Sequence, residues 1–70
     1  MSVFSERLEQ AMKERRYTYG MVAIKTGLAR DTICRYKSSE RVPNGRNIFL
    51  IADALGVDPR WLIGIEEEKK

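Results

Sequence analysis

The sequence has no histidine and a single cysteine, Cys34. One cysteine excludes an internal disulfide, and the lack of histidine excludes the usual Cys/His zinc sites. A glycine-rich phosphate loop is missing, and so is a pair of acids placed for acid–base work, which argues against an enzyme. No apolar run approaches the roughly 18 residues needed to cross a membrane. The opening, MSVFSERLEQ, lacks the pattern of a signal peptide. A cytoplasmic location in a reducing compartment is therefore expected, with no metal, cofactor, small-molecule substrate or membrane as partner. No segment alternates apolar and polar residues as a half-buried strand would, and no stretch repeats.

What the chain does have is charge and helical periodicity. Its 70 residues are 43% hydrophobic and 33% charged, the balance of one small globular domain. The net charge of +3 is unevenly placed. From Arg30 to Arg46 there are five basic residues (Arg30, Arg35, Lys37, Arg41, Arg46) against two acids, Asp31 and Glu40. That window alone gives +3, and the remainder sums to zero. Such a concentration fits a phosphate-binding surface, although an ordinary solvated face would also carry it.

Five short helices are expected. Phe4, Leu8, Ala11 and Met12 recur at three- and four-residue spacing and predict a first helix ending at Arg15, capped by Ser2 or Ser5. Thr18 is a good cap for a second helix through Lys25, and Gly27 stops it. A third helix covers about Ala29 to Lys37. After a loop marked by Pro43, Asn44 and Gly45, a fourth runs from Arg46 to Leu55 with Ile48, Ile51, Ala52 and Leu55 inward. Asp58 and Pro59 then open a short fifth helix that packs Trp61 and Leu62 against the core.

The stretch from Thr18 to Tyr36 has the layout of a helix-turn-helix, with a tight turn at Thr26-Gly27-Leu28. Its second helix surrounds a single buried anchor, Ile33, with Arg30, Asp31, Thr32, Cys34 and Arg35. Polar side chains that do not pack inward are what a major groove requires, because base edges present donors and acceptors.

These residues resemble the Cro/C1-type, or XRE-type, helix-turn-helix domain of phage repressors and bacterial regulators. The resemblance runs from Phe4 to Gly64. It rests on F-x-x-R-L, T-x-x-x-V-A-x-K-T-G-L, T-I-x-R-Y, a basic loop ending in Pro43, and N-I-x-x-I-A-D-A-L-G-V-x-P-x-W-L-x-G. It implies an all-α, lambda-repressor-like five-helix bundle over residues 1–65, followed by a charged tail at 66–70. It implies a core that includes Val22, Ala23, Leu28, Ile33, Ile51, Leu55 and Leu62. By the same resemblance, Arg30, Asp31, Thr32 and Arg35 face DNA bases, with Asp31 either accepting from cytosine or only orienting an arginine. Thr18, Tyr19, Lys37, Ser38, Arg41, Asn44 and Arg46 face phosphates. Apolar residues that the core pattern does not need, Phe49, Ile63 and Ile65, are candidates for a homodimer interface.

Several positions depart from the family pattern. Tyr19 stands where glutamine is usual, Ala29 where Ser or Thr caps the third helix, and Ser39 where glycine is frequent. Ile24 replaces a polar residue and is either extra core, the reading leaned to, or an exposed apolar spot. Cys34 is either a surface residue of no special role or a thiol made sensitive to oxidation by nearby arginines. The function expected is a sequence-specific transcriptional regulator, a repressor of phage or mobile-element type that binds a palindromic operator on double-stranded DNA as a dimer. The alternative is a protein-interaction module, the antitoxin of a toxin–antitoxin pair.

Overall fold

The computed structural model describes residues 2–68. Met1 of the expected domain and Lys69 and Lys70 of the expected tail lie outside the described residues. The chain forms α1 (Val3–Arg15), α2 (Tyr19–Thr26), α3 (Arg30–Lys37), α4 (Gly45–Leu55) and α5 (Pro59–Leu62). Among the described residues there is no strand.

Each helix begins where a side chain supplies an acceptor, with one exception. Ser2, Thr18, Asn44 and Asp58 accept from the N–H groups of Ser5, Met21, Asn47 and Arg60 respectively. This satisfies donors that a helix start otherwise leaves unpaired. Between the two alternatives for α1, Ser2 is the cap. Ser5 is fully buried one turn on, and its hydroxyl donates to the Lys37 carbonyl. The exception is α3, where Ala29 offers no side-chain bond.

Gly27 ends α2 at φ 77°, a left-handed conformation that costs little only without a Cβ, and its N–H donates to the Ala23 carbonyl at 2.8 Å. Thr26 continues α2 one residue further than expected. Its hydroxyl donates to the Val22 carbonyl at 2.8 Å and accepts from the Leu28 N–H at 3.2 Å, so it stitches the turn on both sides. Arg16 ends α1 at φ 58° without the help of glycine. Ser39, in place of the family's glycine, also takes a left-handed conformation, at φ 67°.

The core joins Phe4, Leu8, Ala11 and Met12 of α1 to Val22, Ile33, Tyr36, Ile51, Ala52, Leu55, Trp61 and Leu62. Ala23, Leu28 and Ile48 pack against it but are only partly buried. Of the two places left open for Ile24 it takes the surface, against the lean to core, at 84% exposure, because α2 turns Val22 and Thr26 inward. Two expectations are corrected. Ile33 is not the single anchor of α3, for Tyr36 one turn on is also buried. The Tyr36 ring packs edge-on against Phe4 with centroids 5.9 Å apart, and its hydroxyl accepts from the Asn47 side chain at 2.8 Å. Finally, α4 starts at Gly45 rather than Arg46, since Asn44 is its cap. The Asn44–Asn47–Tyr36 chain of hydrogen bonds ties the basic loop to α3.

Candidate DNA-binding face

Helix α3 is held inward by Ile33 and Tyr36, so its other positions are turned out. Arg30, Asp31 and Arg35 are exposed, while Thr32 and Cys34 are half-buried. The face is two turns long, enough to lay a short row of side chains along a groove. Asp31 and Arg35 are not independent. The Asp31 carboxylate lies 2.9 Å from the Arg35 Nε, one turn along the helix. This is the salt bridge that the orienting role of Asp31, one of the two left open, requires. Among the described residues Arg30, Arg41 and Arg46 have no ion-pair partner.

The sites expected to meet phosphates fall into two groups. Thr18, Tyr19 and Lys37 share a cleft of about 350 Å³ with Glu9, Met12, Lys13, Tyr17 and the base-contact candidate Arg30. The Lys37 ammonium lies 5.8 Å from the centre of the Tyr19 ring. Ser38, Arg41, Asn44 and Arg46 lie along the exposed loop and the start of α4. Several of these side chains already have partners. The Thr18 hydroxyl accepts from the Met21 N–H at 3.2 Å, and its own proton stays free to donate. The Ser38 hydroxyl donates to the Arg35 carbonyl at 3.1 Å. The Asn44 oxygen is committed to its cap, and its amide N–H groups remain.

Tyr19 occupies the position of the expected glutamine bridge and makes a different contact. The Tyr19 side chain first, and the Glu9 carboxylate after it, raise the Lys37 ammonium above the usual lysine range. Glu9 is held below the usual carboxylate range by its hydrogen bond with Lys13, then by the charges of Lys37 and Lys13. Sequence reasoning assigned neither Glu9 nor Lys13 to this face. The spacing of Glu9 and Lys13, one turn apart on α1, was a legible signal of their pairing. Their approach to Lys37 depends on how α1 packs on α3.

The dimer candidates are exposed: Phe49 on α4 at 66%, and Ile63 and Ile65 beyond α5 at 39% and 71%. Cys34 is a free thiol, half-buried on α3. Among the described residues no cluster of acids, cysteine or histidine has a metal-binding arrangement, and no helix is long and apolar enough to cross a membrane.

A helix-turn-helix with a polar, basic second helix turned out of the bundle is the construction of a DNA-binding transcriptional regulator. The sequence pattern of the helix-turn-helix family matches residues 8–62, and the chain belongs to that family, in its Cro/C1-type form. The fold is similar to that of the P22 c2 repressor, solved in complex with a synthetic operator. The TM-score is 0.85 at 23% sequence identity, covering 94% of this chain and 100% of that chain. At that identity the likeness shows a common fold. No curated protein matches the sequence. Family and fold are those of a DNA-binding regulator and not of an enzyme.

Proposed function

We propose that the protein is a repressor that binds a palindromic operator as a homodimer, working in the cytoplasm where the DNA lies. The observation that carries this reading is the outward row of Arg30, Thr32 and Arg35 on a helix anchored by Ile33 and Tyr36. Arginine pairs bidentately with guanine O6 and N7, so Arg30 and Arg35 are the principal base readers. Thr32 offers a methyl group and a hydroxyl to a thymine or a phosphate. Asp31 holds Arg35 in place, and Thr18, Tyr19, Lys37, Ser38, Arg41, Asn44 and Arg46 meet the backbone. The similarity to a repressor solved on its operator supports the repressor role.

A single module of this size covers little DNA, and specific protein–DNA interfaces bury about 1,000–2,500 Å² of protein surface. Two copies on successive major grooves meet that need and make the operator palindromic. Residues 1–65 act as the DNA-binding domain, and 66–70 are the tail. Selection of bound duplexes from a random pool is the test. A consensus with two inverted halves about 10 base pairs apart is expected. A pool that binds without enrichment of any sequence contradicts the proposal.

A further inference from the structure

The cleft between α1, α2 and α3 contains an acid that phosphate binding does not need. The Glu9 carboxylate lies 3.7 Å from the Lys37 ammonium and 3.2 Å from that of Lys13. Both Glu9 and Lys37 are partly exposed, at 31% and 28% of their side chains, so the pair is open to an incoming group. Arg30, Thr18 and Tyr19 line the same cleft. Helix α2 starts at Tyr19, on the cleft's lining, and the first N–H groups of a helix have no partner within it. A backbone phosphate docking here meets the ammonium groups of Lys13 and Lys37, and one carboxylate that already holds both.

We propose that Glu9 is a built-in brake on DNA binding, occupying the Lys37 and Lys13 ammonium groups that a backbone phosphate would otherwise take. A carboxylate and a phosphate are competing anions for the same donors. For the phosphate to dock, either the lysines turn from Glu9 or two anions share one ammonium, and both arrangements weaken binding. The competition acts on the backbone and not on base edges. It therefore lowers affinity for every sequence equally and leaves the preference between sequences intact. A regulator so tempered spends less time on non-specific DNA without losing selectivity. This inference rests on the DNA-binding reading of the same face.

The test is a binding titration of Glu9→Gln, Lys37→Met and the double variant, on a preferred duplex and on a random one, at several salt concentrations. Glu9→Gln keeps the size and polarity of the side chain and removes its ion pairs with Lys13 and Lys37, which are open to solvent and add little to stability. It is expected to tighten binding to both duplexes alike, about 2- to 5-fold, and to steepen the salt dependence. In the Lys37→Met background the same change is expected to gain less than about 2-fold, because only the Lys13 ammonium is then left to be freed. Unchanged or weaker binding by Glu9→Gln overturns the inference, as does an equal gain with and without Lys37. If the wild-type chain binds neither duplex, the DNA reading itself fails and the brake with it.

Discussion

Asp31 is the residue whose two possible duties have the most distinct consequences. In the free protein its carboxylate grips the Arg35 Nε at 2.9 Å. An exposed pair one helical turn apart stabilises a helix by about 0.2–0.5 kcal/mol, so the pair matters little for folding. Its importance is in fixing the direction of a long side chain with several rotatable bonds. Changing Asp31 to Ala should leave the melting temperature nearly unchanged, tighten binding to random DNA, and reduce the ratio of preferred to random affinity. Duplex titrations of the variant check this, and an unchanged ratio would show that Arg35 needs no such guide. Sequence reasoning left Ile24 open between core and surface and missed the place of Glu9, for related reasons. Ile24 is apolar and lies beside two helix-packing residues, Val22 and Ala23. Only the exact rotation of α2 puts it at 84% exposure. Glu9 reaches Lys37 across 28 positions of chain, a proximity that no local pattern encodes.

At the scale of the helix, ends are the informative places. Among the described residues four of five helices have a side-chain cap, and those caps follow from residue type: Ser2, Thr18, Asn44 and Asp58. The sequence therefore placed most boundaries within a residue or two. The miss at Asn44 came from treating it as loop when its oxygen was the acceptor that starts α4. The left-handed Arg16 was not legible, because it has none of glycine's freedom and is held there by its neighbours. The uncapped α3 is the helix proposed to read DNA. Changing Ala29 to Ser should stabilise the fold by about 0.5–2 kcal/mol, measured by denaturant unfolding. No gain would mean that the α3 start is already satisfied by other means. Asp58 makes a pH-dependent end. Its carboxylate accepts from the Arg60 guanidinium at 3.2 Å and from the Arg60 N–H at 2.8 Å, and these hold its carboxyl below the usual range, the guanidinium foremost. A group depressed on folding stabilises the fold above its ordinary value, and that contribution disappears as pH falls through the lowered one. Asp58→Asn retains a capping oxygen and loses the charge. Its melting temperature should depend less steeply on pH than the wild type's between about pH 5 and 2. Parallel curves for the two proteins would assign the acid sensitivity elsewhere.

The whole molecule divides its labour between an apolar interior and a face of uneven charge. Phe4, Leu8, Ile33, Ile51, Leu55 and Leu62 hold five short helices that could not persist alone. That interior was legible mainly on α1 and α4, which repeat their apolar residues at helical spacing. The geometry of the outer face was less so, since it depends on how helices cross. Phe49, Ile63 and Ile65 remain outside the interior and are the candidates for contact between two copies. Phe49→Lys and Ile65→Lys are expected to lower the cooperativity of operator loading, read by sedimentation of the protein on operator DNA. Two copies loading with unchanged cooperativity in both variants would move the interface elsewhere. The central claim, however, concerns α3, and repeating the random-pool selection with Arg30→Ala and with Arg35→Ala tests it most directly. Each variant should lose about 1–3 kcal/mol on the wild-type consensus and relax one base position in each half of it. A consensus that keeps every position, with affinity lost equally on all DNA, would contradict the account and leave these arginines as phosphate contacts.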